Sequence, residues 1–320
     1  MRLHASAGSG GGFTGRPPSL PIPPAYLARV RVDEPMATHC SWHAGGKAEV
    51  LFSPRDAEDL ASFLRELPRS VPVYWIGLGT NLLVRDGGIR GVVIATPGAF
   101  TRIERRSHSN VYCEASVPCT RIARSCANWA MSQAEFFSGI PGSMGGALAM
   151  NAGAFGDETW RHVLSVETID RDGRRRRRGP QEYQVGYREV ALAGAGAGGA
   201  EEWFLSAELQ FDPQAAVGGA IAALMQRRRE TQPQGVWSCG SVFRNPPGDH
   251  AARLIESAGL KGARIGDALV SDKHANFIVN SGQATARDLE RLVLHVQATV
   301  RERFGITLQP EVRIIGEEST

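Results

Sequence analysis

Phe136-Phe137-Ser138-Gly139-Ile140-Pro141-Gly142-Ser143-Met144-Gly145-Gly146-Ala147-Leu148-Ala149-Met150-Asn151-Ala152-Gly153-Ala154-Phe155-Gly156 is the stretch on which the fold of this chain turns. From Gly139 onward it holds six glycines and four alanines in eighteen residues, with no charge. Missing side chains let a backbone pass close to a bulky flat ligand, and free main-chain N–H groups can meet a pyrophosphate. A tightly packed helix crossing would also explain small residues at helical spacing. It would not explain the cluster of Gly, Pro and Asn, which breaks helices. A shorter loop lies upstream, where Gly77-Leu78-Gly79-Thr80-Asn81 separates the apolar run Val71 to Ile76 from Leu82-Leu83-Val84. Its glycines permit a nest of N–H groups around an anionic oxygen, with Thr80 and Asn81 as side-chain donors. Taken alone, that loop also reads as an ordinary strand-to-strand turn.

Strands and helices alternate around the two loops, which indicates α/β or α+β. Ser53-Pro54 before Ala57, Leu60, Ala61 and Leu64 predicts a helix with Pro in its first turn. Gly91 to Ile94 predicts a strand, and Thr120 is placed to cap a helix bearing Ile122, Ala123 and Cys126. Gly194 to Gly199 spells G-x-G-x-x-G, yet Trp203 to Phe211 beyond it reads as strand. A nucleotide fingerprint needs a helix there, so a connector is expected. A helix from about Gly219 to Arg229 leads to a candidate boundary at Gln232-Pro233. Beyond it, Asp249 is expected to cap a helix ended by Gly259, and Asn276 to Asn280 to form a strand. Thr285-x-x-Asp288 should open a helix with Leu289, Leu292, Val293, Val296, Val300 and Phe304 on one stripe. Gly305 closes it, and Ile306 to Ile315 follows as the last strand.

A chain of 320 residues has room for two or three cores. At 42% hydrophobic, 22% charged and a net charge of +3, its composition is that of a soluble globular protein and points to no partner. The basic run Arg174 to Arg178 follows Asp172-Gly173 and reads as a solvated hairpin tip; no aromatic residue is interleaved, so nucleic acid is not indicated. Cys40, Cys113, Cys119, Cys126 and Cys239 show no C-x-x-C spacing, and an odd count argues for reduced thiols in a cytoplasmic protein. Without an H-E-x-x-H pattern no metal site is expected. No apolar stretch approaches the ~20 residues of a membrane span, and no signal-peptide core opens the chain. Residues 1–24, rich in Gly, Ser and Pro, are expected to form a disordered leader.

Seven blocks resemble, in order, those of the UDP-N-acetylenolpyruvoylglucosamine reductase family, flavin enzymes that make UDP-N-acetylmuramate for bacterial cell walls. They are Thr38 to Ala48, Gly77 to Val84, Gly139 to Gly156, Tyr187-Arg188, Gly240 to Pro246, Leu254 to Asn280 and Pro310 to Gly316. The resemblance implies an α+β fold: a vanillyl-alcohol-oxidase-type FAD-binding region in two subdomains, residues 25–100 and 101–215, and a C-terminal α+β substrate domain, residues 216–320. It also implies noncovalent FAD held by Gly77, Gly79, Thr80, Asn81, Leu82, Gly139, Ile140, Pro141, Gly142, Ser143, Gly145, Gly146, Asn151, Ala152 and Gly153.

The reaction implied is NADPH-dependent reduction of an enolpyruvyl ether to a lactyl ether. Charge develops beside the substrate carboxylate, and a proton must then reach that carbon. The resemblance makes Ser241 the proton donor, Arg188 the cation facing the carboxylate, and Glu311 the third catalytic group. A carboxylate beside an anionic intermediate is repulsive, so Glu311 serves best protonated or paired with Arg188. Tyr187, Arg244, Asn245 and His274 are implied in binding the UDP-sugar. His43-Ala44 stands where the family usually carries an arginine and an aliphatic residue. No tyrosine follows Tyr187, so the chain resembles the group without a tyrosine-bearing loop. UDP-sugar and NADPH are the implied partners, with no nucleic acid, membrane or obligate protein partner. A sugar or alcohol oxidase of the same superfamily would share the glycine loops but leave the Ser241 and Glu311 blocks unexplained, and a nucleotide-binding regulator would leave all three catalytic positions idle.

Overall fold

The computed structural model describes residues 18–194, 201–214 and 219–319. Three sheets carry the chain. The first has strand order Val30–Pro35, Lys47–Phe52, Ile89–Ala95, Val73–Ile76, antiparallel at its first pair and parallel elsewhere. Helix α1 (Ala57–Glu66) covers it with Leu60, Ala61, Phe63 and Leu64 buried. Asp56 rather than Pro54 starts this helix, because its carboxylate accepts from the Glu58 and Asp59 N–H groups. Order also begins earlier than expected. Ile22 is buried and Leu20 packs on the same core, since prolines on either side leave little chain entropy to lose. Residues 1–17 of the expected leader lie outside the described residues.

The second sheet is antiparallel throughout, in the order Arg175–Arg178, Val163–Asp170, Glu202–Gln210, Asn110–Glu114, Ile103–Arg105. Helix α2 (Cys119–Asn128) packs beside it with Pro118 at its N-cap, so Thr120 lies inside the helix. The arginine run is an edge strand, and only Arg174 lies in the hairpin turn. Arg175, Arg176, Arg177 and Arg178 meet Glu167, Asp170, Glu208 and Glu202 across the sheet, which neutralises an edge that would otherwise be strongly positive. In the same hairpin the guanidinium of Arg171, 5% exposed, donates to the carbonyls of Leu64, Pro68 and Val71. Those carbonyls trail from the C-terminus of α1, where the helix cannot satisfy its own acceptors. The second sheet is thereby pinned to the first.

The long glycine stretch does contain a helix, α3 (Met144–Ala149), despite its two glycines. Close packing accounts for one of them: a Cβ on Gly145 would lie 3.0 Å from the Ala115 Cβ. Helix α4 (Ala220–Thr231) packs against Glu135–Gly139, and its Ile221 joins the second core, so the change of unit falls at Gln232 rather than at residue 216. The G-x-G-x-x-G match lies outside the described residues from position 195 onward.

The third sheet, in the order Trp237–Ser241, Phe277–Asn280, Ala268–Val270, Arg264–Ile265, is antiparallel and covered by α5 (Ala251–Ser257) and α6 (Ala286–Phe304). Thr285 and Asp288 form the expected capping box, but Phe304, at the last turn, is exposed. Asp249 pairs with Arg253 and does not cap α5; Asn245 Oδ1 accepts the Ala251 N–H instead, at 3.1 Å. The final strand is only Arg313–Ile315, because Pro310 lacks an N–H and the Glu311 N–H goes to the Val242 carbonyl. That strand runs parallel to Leu82–Val84. Trp42, Ala44 and Leu83, from the N-terminal unit, sit inside the C-terminal core. Trp42 Nε1 donates to the Ile278 carbonyl and Asn280 Nδ2 to the Trp42 carbonyl, so the units interlock.

Replacing Arg171 with Met should keep much of the volume and orphan the α1 carbonyls. We expect about 3 kcal/mol of lost stability, read as a lower urea midpoint with an unchanged slope.

Candidate active site

The two glycine loops face each other across a cleft of about 690 Å³ that also reaches the third sheet. Ser143 Oγ lies 2.9 Å from where a Gly77 Cβ would sit, and Thr80 Oγ1 lies 3.6 Å from the equivalent point on Gly142. Among the described residues no N–H from Gly77 to Asn81 donates to a protein backbone acceptor, nor do those of Gly142, Ser143 and Gly146. Amides left without protein partners beside a cleft are a binding surface for oxygen anions.

The glycines divide into two kinds. A Cβ on Gly79 would come within 1.8 Å of the His39 carbonyl oxygen, and one on Gly139 within 2.5 Å of the Phe155 ring. Those glycines serve the packing of the loops themselves. Around Gly142 and Gly146, by contrast, the nearest protein atoms stand 3.6 and 3.9 Å from the added carbon. Both line the cleft, so a side chain there would enter space the protein leaves open.

Of the residues expected to hold FAD, all but Asn151 line this cleft. Asn151 is buried and committed elsewhere: its Nδ2 donates to the Gly186 carbonyl and its Oδ1 accepts the Trp160 N–H. Asn81 lines the cleft but also spans it structurally, donating to the Glu311 carbonyl at 3.1 Å and accepting the Arg313 N–H at 3.1 Å.

Arg188, Ser241 and Glu311, far apart in sequence, all line the cleft. Arg188 Nε donates to Glu311 Oε1 at 3.0 Å, and its terminal nitrogens donate to the carbonyls of Asn151 and Gly153. Each terminal nitrogen keeps a second N–H. The Arg188 backbone is left-handed (φ 58°), a conformation costing an arginine roughly 1–3 kcal/mol. It is held there from outside, because Arg244 Nη2 donates to the Arg188 carbonyl and Asn151 grips Gly186. Burial pushes the Glu311 carboxyl above the ordinary glutamate value, while the guanidiniums of Arg188 and Arg244 pull it back.

Ser241 ends its strand beyond a bulge made by Gly240, whose φ of 74° suits glycine. The Asn276 side chain fixes the next residues, accepting the Phe243 N–H and donating to its carbonyl. The Val242 carbonyl takes the Glu311 N–H at 2.7 Å, which couples the Ser241 and Glu311 segments directly.

The residues expected to bind the sugar nucleotide do not line the cleft. Arg244 supports Arg188, and its Nε is buried without a partner among the described residues. Asn245 caps α5 through its oxygen and keeps its amide N–H groups. Tyr187 is half exposed, with the Arg188 guanidinium over its ring. His274 packs on Phe277 and accepts the Asn276 N–H, a turn-building role, and burial lowers its proton affinity. His43 is exposed, against Trp237 and away from the cleft lining. Two cleft arginines were missed, Arg228 and Arg313. Arg313 was legible in principle: it follows Glu311 by two, the spacing that puts side chains on one face of an extended segment.

Residues 48–179 match the pattern described as an FAD binding domain, and residues 232–315 the C-terminal domain of UDP-N-acetylenolpyruvoylglucosamine reductase. With the paired glycine loops and the Arg188–Glu311–Ser241 floor, the fold is that of an FAD-dependent oxidoreductase. The chain is 54% identical to UDP-N-acetylenolpyruvoylglucosamine reductase of Alkalilimnicola ehrlichii, across 89% of this chain and 94% of that protein. It is 53% identical to the enzyme of that name from Methylococcus capsulatus, across 89% and 92%. The crystal structure of UDP-N-acetylenolpyruvylglucosamine reductase from Thermus caldophilus superposes with a TM-score of 0.74 at 31% identity, covering 89% of this chain and 99% of that one. The chain belongs to the UDP-N-acetylenolpyruvoylglucosamine reductase family.

Two substitutions separate the kinds of glycine. Gly146→Ala should leave the flavin-free protein as stable or up to about 1 kcal/mol more stable, since it improves a helix, yet weaken FAD binding about tenfold by filling the cleft. Gly79→Ala should instead destabilise the flavin-free protein by roughly 1–3 kcal/mol. Thermal melts and flavin fluorescence titrations read both.

In Arg188→Gln, burial acts on Glu311 against Arg244 alone, so its carboxyl should titrate at higher pH than in the wild type. A carboxyl raised by folding stabilises fully below its unfolded pKa, and that stabilisation is lost as pH rises through the folded value. The variant should therefore lose more stability than the wild type as pH rises above the ordinary glutamate range. Tm against pH checks the sign; parallel curves for the two proteins would refute it.

Proposed function

We propose that this chain catalyses the NADPH-dependent reduction of UDP-N-acetylglucosamine enolpyruvate to UDP-N-acetylmuramate in peptidoglycan precursor synthesis. The observation that carries the reading is the meeting of Arg188, Ser241 and Glu311 on the cleft walled by both glycine loops. The free amides of those loops fit the diphosphate of noncovalently bound FAD, which supplies a relay for hydride so that NADPH and the sugar nucleotide react in turn. The remaining N–H groups of Arg188 are aimed where charge develops beside the substrate carboxylate. Glu311 fixes the guanidinium through Nε, and burial keeps its own charge disfavoured beside the anionic substrate. Ser241, at the end of a bulged strand, holds the proton for the carbon next to that carboxylate.

Arg244 is better read as the support of Arg188 than as a phosphate ligand. Tyr187 and the free amide of Asn245 remain candidates for the nucleotide sugar, and His274 does not. The chain lacks any tyrosine after Tyr187, which supports placing it in the group without the tyrosine loop. The five free, buried thiols fit a cytoplasmic enzyme. A sugar or alcohol oxidase would give the Ser241–Glu311 junction no work.

Ser241→Ala should leave flavin reduction by NADPH within about twofold of wild type and slow reoxidation by the enolpyruvyl substrate by about 10²-fold or more. Stopped-flow absorbance at the flavin band separates the two half-reactions. Equal rates in both would remove Ser241 from the chemistry.

A further inference from the structure

One imidazole joins three pieces of chain that frame the long glycine loop. His162 ends the short helix Thr159–His162, just before the strand Val163–Asp170, and its side chain is only 10% exposed. The ring lies 5.4 Å from that of Phe136, where the glycine loop opens, and 5.2 Å from that of Phe211, centroid to centroid. Nε2 meets Asp157 Oδ2 at 2.8 Å, and Nδ1 meets the Gln210 carbonyl at 3.3 Å. A carboxylate and a carbonyl can only accept. The neutral ring has one N–H and serves one of them, whereas the imidazolium serves both. Phe136, stacked at 24°, adds to the preference for a cation.

Asp157 carries part of the cleft. It pairs with Ala154 in a ribbon of two residues a side, Gly153–Ala154 against Asp157–Glu158. Gly153, Ala154 and Phe155 line the cleft, and the Gly153 carbonyl accepts Arg188 Nη2 at 3.1 Å. So short a ribbon does not stand alone. Its turn adds strain, because Phe155 is left-handed at φ 57°, a region that penalises an aromatic residue. The Asp157–His162 bond ties this ribbon to the buried Phe136 and Phe211. The other charged residues on the surrounding elements are Glu158 and Arg161 beside the ribbon, Glu135 before Phe136 and Asp212 after Phe211. Arg161 donates to the Gly156 carbonyl and comes within 3.6 Å of Asp157 Oδ1, but it is 59% exposed and screened by water. Among the described residues Asp157 alone forms an ion pair with the ring.

We infer that His162 is a positioning residue for Arg188: its protonated ring anchors the cleft ribbon through Asp157, and loss of that proton loosens the ribbon and the Gly153 carbonyl that Arg188 grips. The inference rests on the reductase reading, in which Arg188 serves the substrate half-reaction and not flavin reduction by NADPH.

His162→Gln, His162→Arg and Asp157→Asn, purified as full-length holoenzyme, test it by stopped flow at about pH 6 and about pH 8, on either side of the usual imidazole range. At the lower pH the wild type should be reoxidised by the enolpyruvyl sugar about tenfold faster than His162→Gln, and at the higher pH the two should agree within about twofold. Flavin reduction by NADPH should differ by less than about twofold at both. His162→Arg, which keeps a charge and donors for both acceptors, should restore the rate at the lower pH and hold it at the higher one. Asp157→Asn should behave as His162→Gln does, and it carries the test should the ring variants fail to fold. A ratio of wild type to His162→Gln that stays the same at both pH values, as a merely structural ring would give, overturns the inference. Hydrogen exchange over residues 150–158 reads the ribbon without turnover: the wild type should be better protected than His162→Gln at the lower pH and equally protected at the higher. Equal protection at both would overturn the inference too. A wild type that binds flavin but ignores the enolpyruvyl sugar would sink the reductase reading instead, with the exchange difference intact.

Discussion

Three residues of parallel pairing, Leu82–Val84 against Arg313–Ile315, hold the whole arrangement in register. They join segments about 230 positions apart and leave Asn81 with its amide on the Glu311 carbonyl. One end of the ribbon therefore sets the first glycine loop and the other sets the Glu311 carboxyl. The ribbon is reinforced just beyond its end. Asp86 accepts the Ala286 and Arg287 N–H groups at the start of α6, and Arg85 makes a two-pronged pair with Glu290. A helix N-terminus offers unsatisfied donors and a partial positive charge, so a carboxylate from another unit closes it well. Because so short a ribbon is a weak structure alone, these flanking bonds and the shared core around Trp42 are what make the junction rigid.

Rigidity there has a purpose in the electrostatics. Glu311 is buried enough to disfavour its charge, and the two arginines beside it favour that charge. The balance depends on distance, so a loose junction would let water enter and erase it. The strained backbone of Arg188 follows the same logic. A left-handed arginine persists only where neighbours over-determine it, and here a carbonyl grip by Arg244 and a latch by Asn151 do so. Residues that resemble ligand contacts by sequence thus become the frame around one guanidinium.

The legible part of the molecule was local. The Thr285–Asp288 box and Gly305 delimit α6 correctly, because caps act within a few residues and the apolar stripe is long. The long glycine loop stood out by composition as a cleft-lining segment, whereas the shorter one, taken alone, read equally as a strand-to-strand turn. What composition could not show was which atoms would be occupied by distant chain. Asn151 and Arg244 each have the chemistry of a ligand contact, and each is claimed by backbone groups from elsewhere in the fold. Arg171 went unseen for the same reason: its partners are carbonyls about a hundred residues away, and carbonyls leave no trace in a sequence. Helix starts at Asp56 and Pro118 were displaced by two or three residues for a smaller cause, competition between neighbouring residues able to end the preceding chain.

The glycines of the long loop show most clearly how one composition can conceal two demands. Gly139 and Gly145 let the Phe155 ring and the Ala115 turn approach the loop, which is a requirement of folding whether or not a ligand is bound. Gly142 and Gly146 have room for a methyl group as far as the protein is concerned, and Gly146 sits in a helix where alanine would be favoured. A residue that costs stability and frees no protein contact has its compensation outside the folded chain. The open space beside Gly142 and Gly146, with unpartnered amides at its edge, is accordingly left by the chain for something other than itself.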